Sequence, residues 1–345
     1  MINLINSIQA KKLDKDTIIS SKITNLELID NAGKQIAYHI IENIPHPFNK
    51  KFLCIAGYGN NGLDSIVCNY YLNLNNILSE LLIINASMID STYLKEYVTE
   101  NRFFTQNDKV RFNDYSYIVD GIFGTGLNRD IKGYCLDLVR KLQTKKNIIS
   151  IDMPSGIYAD SGSTANISLN SRETVTFGYP KLGHFLGEGY SKTGKLSICS
   201  IGHTILKEES PIKLVEEIDV VKLLNPISTN THKYSKGKVL SYSGSAPYTG
   251  AALLSAKSSI AAGAGILKQF IPSSLCCAMR GVTETVDIEI NDLDRGFLSI
   301  DNFGEIKPYL NWPDAFIVGP GVSTNKSSLE LIKNILKNYR GKCVL

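Results

Sequence analysis

The sequence has no Cys-x-x-Cys pair. Its seven cysteines, Cys54, Cys68, Cys135, Cys199, Cys276, Cys277 and Cys343, are odd in number and sit mostly in apolar runs. This argues against a disulfide framework or a zinc ribbon and reads as buried, reduced thiols in a cytoplasmic protein. Histidine is also scarce, five in 345 residues with no cluster, so a His/Cys transition-metal site is not expected. No apolar stretch approaches the roughly 18 residues that span a bilayer. The N-terminal MINLINSIQAKKLDKD carries charges where a signal peptide would be apolar. No membrane partner is expected. Nor is there a basic block interleaved with aromatics: Lys and Arg number 37 against 33 Asp and Glu, a net charge of +4, which gives no electrostatic footprint for nucleic acid. Low-complexity tracts and short repeats are absent as well.

What is present is an ordinary globular composition, 43% hydrophobic and 20% charged, in a chain long enough for two domains. From Thr24, TNLELIDNAGKQIAYHII places Ile29, Ala32, Ile36, Ala37 and Ile40 at helical spacing, with Thr24 or Asn25 as N-cap. KKFLCIA reads as a buried strand, GYGNNGLDS as a glycine-rich turn, and SIVCNYYLNL as a helix with Ile66, Cys68, Tyr70 and Tyr71 on its face. The same alternation recurs in SELLIIN, YSYIVDGIFGTG and NIISIDMPSG, with GYCLDLVRKLQTK as a crossover helix, and then in ETVTFG and GKLSICSIG. This predicts a three-layer, Rossmann-like α/β sandwich around a mostly parallel sheet, with its site at the carboxyl edge of the strands. The charged run HTILKEESPIKLVEEID marks a junction near residue 212, dividing a domain 1–211 from a region 212–345. In the second region GKVLSYSGS, AALLSAKSSIAAGAG and PDAFIVGPGVSTN read as strand, helix and strand of another α/β domain.

Strand-end residues of the first domain converge on one edge if the sheet is parallel: Asn60, Asn61 and Asp64, then Asp120 with GTGLNRD, then Asp152 with Ser155. Glycines 57, 59 and 62 permit turns and close ligand approach, and a helix beginning near Asp64 would offer free N–H groups to a phosphate. Thr125 and Arg129 add a hydroxyl and a phosphate partner. Three carboxylates around one anion repel it unless a proton or cation intervenes, and Asn, Asp and Ser oxygens suit a hard cation. Both uses stay open on the residues alone. Each feature also has a plainer use: Asp64 as a helix first-turn acid, Gly124 and Gly126 as strand ends, Asp152 as a turn cap. Those uses do not explain why all three fall at strand ends.

Four ordered motifs, NNGLDS, DGIFGTGLNRDIKG, IDMPSGIYADSG and TVTFGYPKLG, resemble NAD(P)H-hydrate epimerase over nearly all of residues 8 to 202. THKYSKGKVLSYSGSAPYTGAALLSAKSSIAAGAGILK and AFIVGPGVS resemble the ADP-dependent NAD(P)H-hydrate dehydratase, a ribokinase-like domain fused to the epimerase in bifunctional repair enzymes. The resemblance implies a small-molecule substrate: the hydrate of NADH or NADPH, which carries a hydroxyl at C6 of the nicotinamide ring. One activity interconverts the C6 epimers, and the other restores the cofactor with ADP or ATP and Mg2+. It places substrate contacts at Asn60, Asn61, Gly62, Leu63 and Asp64, at Gly124, Thr125, Gly126, Leu127, Asn128, Arg129 and Asp130, at Asp152, and in the second domain at Ala251 and Gly321. It places K+ on Asn61, Asp120 and Ser155. Asp152 is the expected proton carrier, with Lys181 in the same pocket, and a homo-oligomer is the family expectation.

Two departures from the family pattern carry expectations of their own. Leu63 and Ser65 stand where the family keeps glycine, so Leu63 is expected to strain the loop if that position needs positive φ. After GKCVL there is no counterpart of the dehydratase's catalytic Gly-Asp loop, so an incomplete second domain, lacking dehydration by itself, is expected. Two rival readings follow, a non-catalytic dinucleotide-binding scaffold with a decayed site and a small-molecule kinase.

Overall fold

A computed structural model describes residues 1–89, 91–98, 103–207, 209–224 and 229–345. The chain forms two compact units, Met1–Leu224 and Asn225–Leu345. The first boundary lies beyond the expected junction near 212, and pairing explains why. Strand β1 (Ile2–Asn3) pairs antiparallel with a strand at Lys213–Leu214, which holds the run after residue 212 to the first unit. Glu208, within that run, lies outside the described residues.

Helix α1 (Ser7–Ser21) is not among the sequence expectations, and it starts on a capping box. The Gln9 N–H donates to Asn6 Oδ1 at 2.8 Å, and the Asn6 N–H donates to Gln9 Oε1 at 3.0 Å. Helix α2 (Asn25–Asn43) begins the same way at Thr24, whose Oγ1 accepts from the Glu27 N–H at 3.2 Å. Its buried face is Leu28, Ile29, Ala32, Gly33, Ile36, Ala37 and Ile40, which contains the predicted stripe.

The sheet of the first unit is built from β2 (Phe52–Ala56), β3 (Ser79–Ile83), β4 (Phe103–Thr105), β5 (Tyr117–Gly121), β6 (Ile148–Ile151), β7 (Glu173–Phe177) and β8 (Lys195–Cys199). Their order is β4-β3-β2-β5-β6-β7-β8 and every pairing is parallel. Alternation along β2 sends Phe52, Cys54 and Ala56 to the face covered by α2 and by α3 (Asn60–Leu74). Leu53 and Ile55 go to the other face, with Leu138, Val139 and Leu142 of α5 (Gly133–Leu142), which follows the short α4 (Ser91–Tyr97). Burial on both faces makes the three layers and explains why these strands read as continuous apolar runs.

The second unit pairs β10 (Lys238–Tyr242), β11 (Ile266–Pro272), β12 (Thr285–Ile290), β13 (Ala315–Val318) and β14 (Lys342–Val344), counting Lys213–Leu214 as β9. The order is β12-β11-β10-β13-β14, again entirely parallel, with helices at Thr249–Ala261 and Lys326–Asn338. Tyr242, Phe270, Phe316, Val318, Leu331 and Ile335 form its core.

All seven cysteines are free thiols. Cys54, Cys68 and Cys135 are buried, but Cys277 and Cys343 are exposed, so the expectation of buried thiols holds only for part of the set. Among the described residues no helix is long and apolar enough to cross a membrane.

Candidate functional site

A cavity of about 440 Å³ opens at the carboxyl edge of the first unit's sheet. One wall comes from Gly59, Asn60, Asn61 and Asp64 after β2, a second from Phe123, Gly124, Thr125, Gly126, Leu127 and Arg129 after β5, and the floor holds Asp152 and Lys181. Sequence reading missed a further wall: Lys11 and Asp14 of α1 and His203 beyond β8 also face the space, with Asp14 Oδ1 2.9 Å from His203 Nε2.

The predicted loop residues do not all reach the cavity. Helix α3 begins at Asn60, with Gly59 as N-cap, so Asp64 stands one turn inside the helix and does not open it. Gly62 and Leu63 do not line the cavity. A Cβ at Gly57 would lie 2.0 Å from the Ile122 carbonyl oxygen, and one at Gly62 would lie 2.2 Å from the Gly57 carbonyl oxygen. These two glycines therefore serve the approach of the protein's own backbone, not of a ligand. Leu63 is helical, is absent from the residues with positive φ, and packs against the core beneath α3. The expected strain is not found, because the position is helical and does not need positive φ, and the side chain has an apolar place to go. In the second loop Asn128 and Asp130 are exposed and turned away from the cavity.

Asp120 and Ser155 lie together beneath the floor. The Asp120 carboxylate accepts from Ser155 Oγ at 2.6 Å, Ser155 N–H at 2.9 Å, Ser150 Oγ at 2.8 Å and Ile122 N–H at 3.2 Å. Burial pushes this carboxyl up, while the donors from Ser155, Ser150 and Ile122 pull against it. Asn61 lies against Gly124, where a Cβ would be 2.9 Å from Asn61 Oδ1, and its amide nitrogen is buried without a partner among the described residues. The Asn61 amide oxygen, the Asp120 carboxylate and the Ser155 hydroxyl are oxygen ligands of the kind that hard cations take, whereas the orphaned Asn61 NH2 group is a donor and calls for an acceptor.

Asp152 is the most constrained residue of the site. It has φ 62°, and the Met153 N–H bonds back to the Ile151 carbonyl at 2.7 Å, so Asp152 is the centre of a three-residue turn. A non-glycine residue held there costs on the order of 1 kcal/mol. In return its carboxylate points at the Lys181 ammonium, with Nζ to Oδ1 at 2.5 Å, and accepts from Thr176 Oγ1 at 2.9 Å. Burial alone would raise this carboxyl, but the Lys181 charge and hydrogen bond outweigh it and hold Asp152 below its usual range. Asp64 has the opposite setting. It is buried, accepts no hydrogen bond among the described residues, and is pushed well above its usual range by burial and then by the charges of Asp152 and Asp14.

A doubly wound parallel sheet with carboxylates, an ammonium and two glycine loops at its carboxyl edge places the first unit among the doubly wound α/β domains, whose ligand sites lie at that edge. Comparison with known proteins narrows that class. Residues 25–183 match the family model described as YjeF-related protein N-terminus, and residues 239–345 match the one described as NAD(P)H-hydrate dehydratase. The chain is 30% identical, over its whole length and 70% of the relative's, to the bifunctional NAD(P)H-hydrate repair enzyme Nnr of Dictyoglomus turgidum. The identity is 29% to the Thermofilum pendens enzyme of the same name, over 96% of this chain and 65% of that protein. It is also 29% identical to the NAD(P)H-hydrate epimerase of Oenococcus oeni, over 57% of this chain and 96% of that protein. The crystal structure of yeast ynu0 superposes with a TM-score of 0.51 at 22% identity, covering 63% of this chain and 98% of the yeast chain, which supports the fold. The chain belongs to the bifunctional NAD(P)H-hydrate repair enzymes.

Proposed function

We propose that the first unit interconverts the two C6 epimers of NADH hydrate or NADPH hydrate, a repair step on damaged nicotinamide cofactors. The observation that carries this reading is the pair of buried carboxyls in one cavity with opposed surroundings, Asp152 ionised on Lys181 and Asp64 without a donor among the described residues. Two such groups whose surroundings push them apart supply an acid and a base at neutral pH. Asp64 donates its proton to the C6 hydroxyl, which leaves as water while the ring nitrogen's electron pair forms the C6–N bond's second component. Water then adds to the opposite face of C6 and gives up a proton to a carboxylate, inverting one stereocentre, and a proton passing from Asp152 back to Asp64 across the cavity they share restores the starting state. Asp152, fixed by Lys181 and Thr176, is the base for that return. Asn60, Thr125 and Arg129 line the space for the rest of the dinucleotide.

The oxygens of Asn61, Asp120 and Ser155 suit K+, which would add positive charge beneath the carboxylates. The rival scaffold reading relied on a loop spoiled by Leu63, and a leucine packed in the core removes that ground. In the second unit Ala251 and Gly321 share a recess with Pro247, Tyr248, Gly250 and Leu254, which supports them as hydrate contacts of an ADP- or ATP-dependent dehydratase using Mg2+. Free cysteines throughout support a cytoplasmic location. The test is direct: one separated epimer of NADH hydrate is mixed with the full chain, with and without K+, and appearance of the other epimer is followed. Binding without interconversion would overturn the reading.

A further inference from the structure

The imidazole of His184 is buried behind the cavity floor, on the turn Leu182–His184 that follows Lys181, and it touches the backbone of both Asp152 and Lys181. Its Nε2 lies 2.8 Å from the Asp152 carbonyl oxygen, and its Nδ1 lies 3.0 Å from the Lys181 backbone nitrogen. A carbonyl only accepts and a backbone N–H only donates, so the two contacts fix one state: neutral, with the proton on Nε2. Burial and then the nearby Lys181 charge hold this histidine down to about 4, in keeping with that state. The Asp152 carbonyl belongs to the peptide that follows the left-handed φ of 62°. That peptide is held from both sides, its Met153 N–H by the Ile151 carbonyl within the turn and its carbonyl by the ring from outside.

We propose that His184 is a positioning residue for the epimerase reaction: one neutral ring clamps the backbones of Asp152 and Lys181 and so sets the line along which their side chains meet. This rests on the epimerase reading above. The functional side chains come from two strand-end loops, after β6 and after β7, with no covalent link nearer than the chain between residues 152 and 181. The 2.5 Å contact between Lys181 Nζ and Asp152 Oδ1 depends on both loops keeping their places. The bond to the Asp152 carbonyl opposes relaxation of the strained turn, and the bond from the Lys181 N–H keeps the lysine's loop in register with it. A displacement of about 1 Å at a reacting group costs on the order of 100-fold in rate.

The two bonds can be separated by substitution in the full chain. In His184→Gln the amide nitrogen reaches the Nε2 position and can still donate to the Asp152 carbonyl. In His184→Asn the amide oxygen reaches the Nδ1 position and can still accept from the Lys181 N–H. His184→Leu removes both. The expected order of kcat is wild type, Gln, Asn, Leu, with Leu down by about 100-fold and KM changed less than about threefold. Equal kcat in folded Leu and wild-type proteins, or a loss confined to KM, would overturn the proposal, as would Asn outperforming Gln. A second measurement needs no turnover: ring 15N shifts of His184 in the wild-type full chain between about pH 5 and 8 should show the neutral, Nε2-protonated form. A charged or Nδ1-protonated ring would overturn the clamp. An absence of epimer interconversion in wild type with the expected ring state would remove the epimerase reading instead.

Discussion

Asp64 and Asp152 face the same cavity, yet only Asp152 has a cation, Lys181 Nζ at 2.5 Å, and Asp64 has no donor at all among the described residues. Burial acts on both carboxyls, but at Asp152 it is outweighed by the Lys181 ammonium and the hydrogen bonds from Lys181 and Thr176, whereas at Asp64 the charges of Asp152 and Asp14 add to it. Their proposed division of labour predicts a bell-shaped pH dependence of kcat. Asp152 must be ionised, and its lowered value puts the acid limb below the ordinary Asp value of about 3.9. Asp64 must be protonated, so activity falls as pH rises through its raised value. Asp64→Asn should remove the alkaline limb and lower kcat by about 100-fold, and Asp152→Asn should abolish interconversion while dinucleotide binding persists. Unchanged alkaline behaviour in Asp64→Asn would show that some other group supplies the proton.

Leu63→Gly should not restore anything. Glycine inside a helix costs about 1 kcal/mol, and the lost contact between Leu63 and the core adds about 1 kcal/mol more. The urea midpoint of the first unit's transition should fall, with the epimerisation rate of folded protein unchanged. A faster variant would mean that the leucine does obstruct the site.

The ion pair between His39 and Glu173, 2.7 Å apart and largely buried, predicts a pH window for stability. The Cys199 contact and then the Glu173 carboxylate raise His39 from 6.5 to about 9, and despite burial the His39 hydrogen bond lowers Glu173 from 4.5 to about 2. The raised base stabilises the fold fully below pH 6.5 and loses that contribution as pH rises through about 9. The lowered acid contributes above pH 4.5 and loses its part as pH falls through about 2. Glu173→Gln should therefore destabilise most near pH 5.5 and least near pH 10, read from denaturation midpoints at both. An equal loss at both pH values would show that the pair contributes packing only.

Potassium dependence follows from the oxygens under the floor. Replacing K+ with a bulky organic cation should slow epimerisation, and Ser155→Ala should abolish the K+ response. The same variant removes one donor, the Ser155 hydroxyl, from buried Asp120, so its thermal midpoint must be measured alongside. A K+ response that survives in folded Ser155→Ala would place the ion elsewhere.

Much of this could be read from the residues. The apolar runs of β2, β5 and β6 and the stripe of α2 follow from period alone, and parallel pairing then brings Asp64, Asp120 and Asp152 to one edge. Helix α1 escaped notice because its apolar residues form no stripe, with only Leu13 and Thr17 buried. Its contribution to the cavity was lost with it. His184 was equally invisible, although it lies three positions from Lys181, because its role depends on a turn returning beneath a strand more than 30 residues earlier in sequence. Leu63 was misjudged for the opposite reason: the motif drew attention to a missing glycine, whereas helix phase decides which way the side chain points.

The packing of Gly57 on Ile122 and of Gly62 on Gly57 also bears on how this pocket can change over time. Where backbone already fills the space, a new side chain would have to move the sheet edge. At Gly59 and Gly126, which edge the same cavity, an added Cβ would meet nothing within 4 Å. Adaptation or engineering toward bulkier or smaller dinucleotides has two free positions in the loops, and the neighbouring glycines are the hinge pins that must stay.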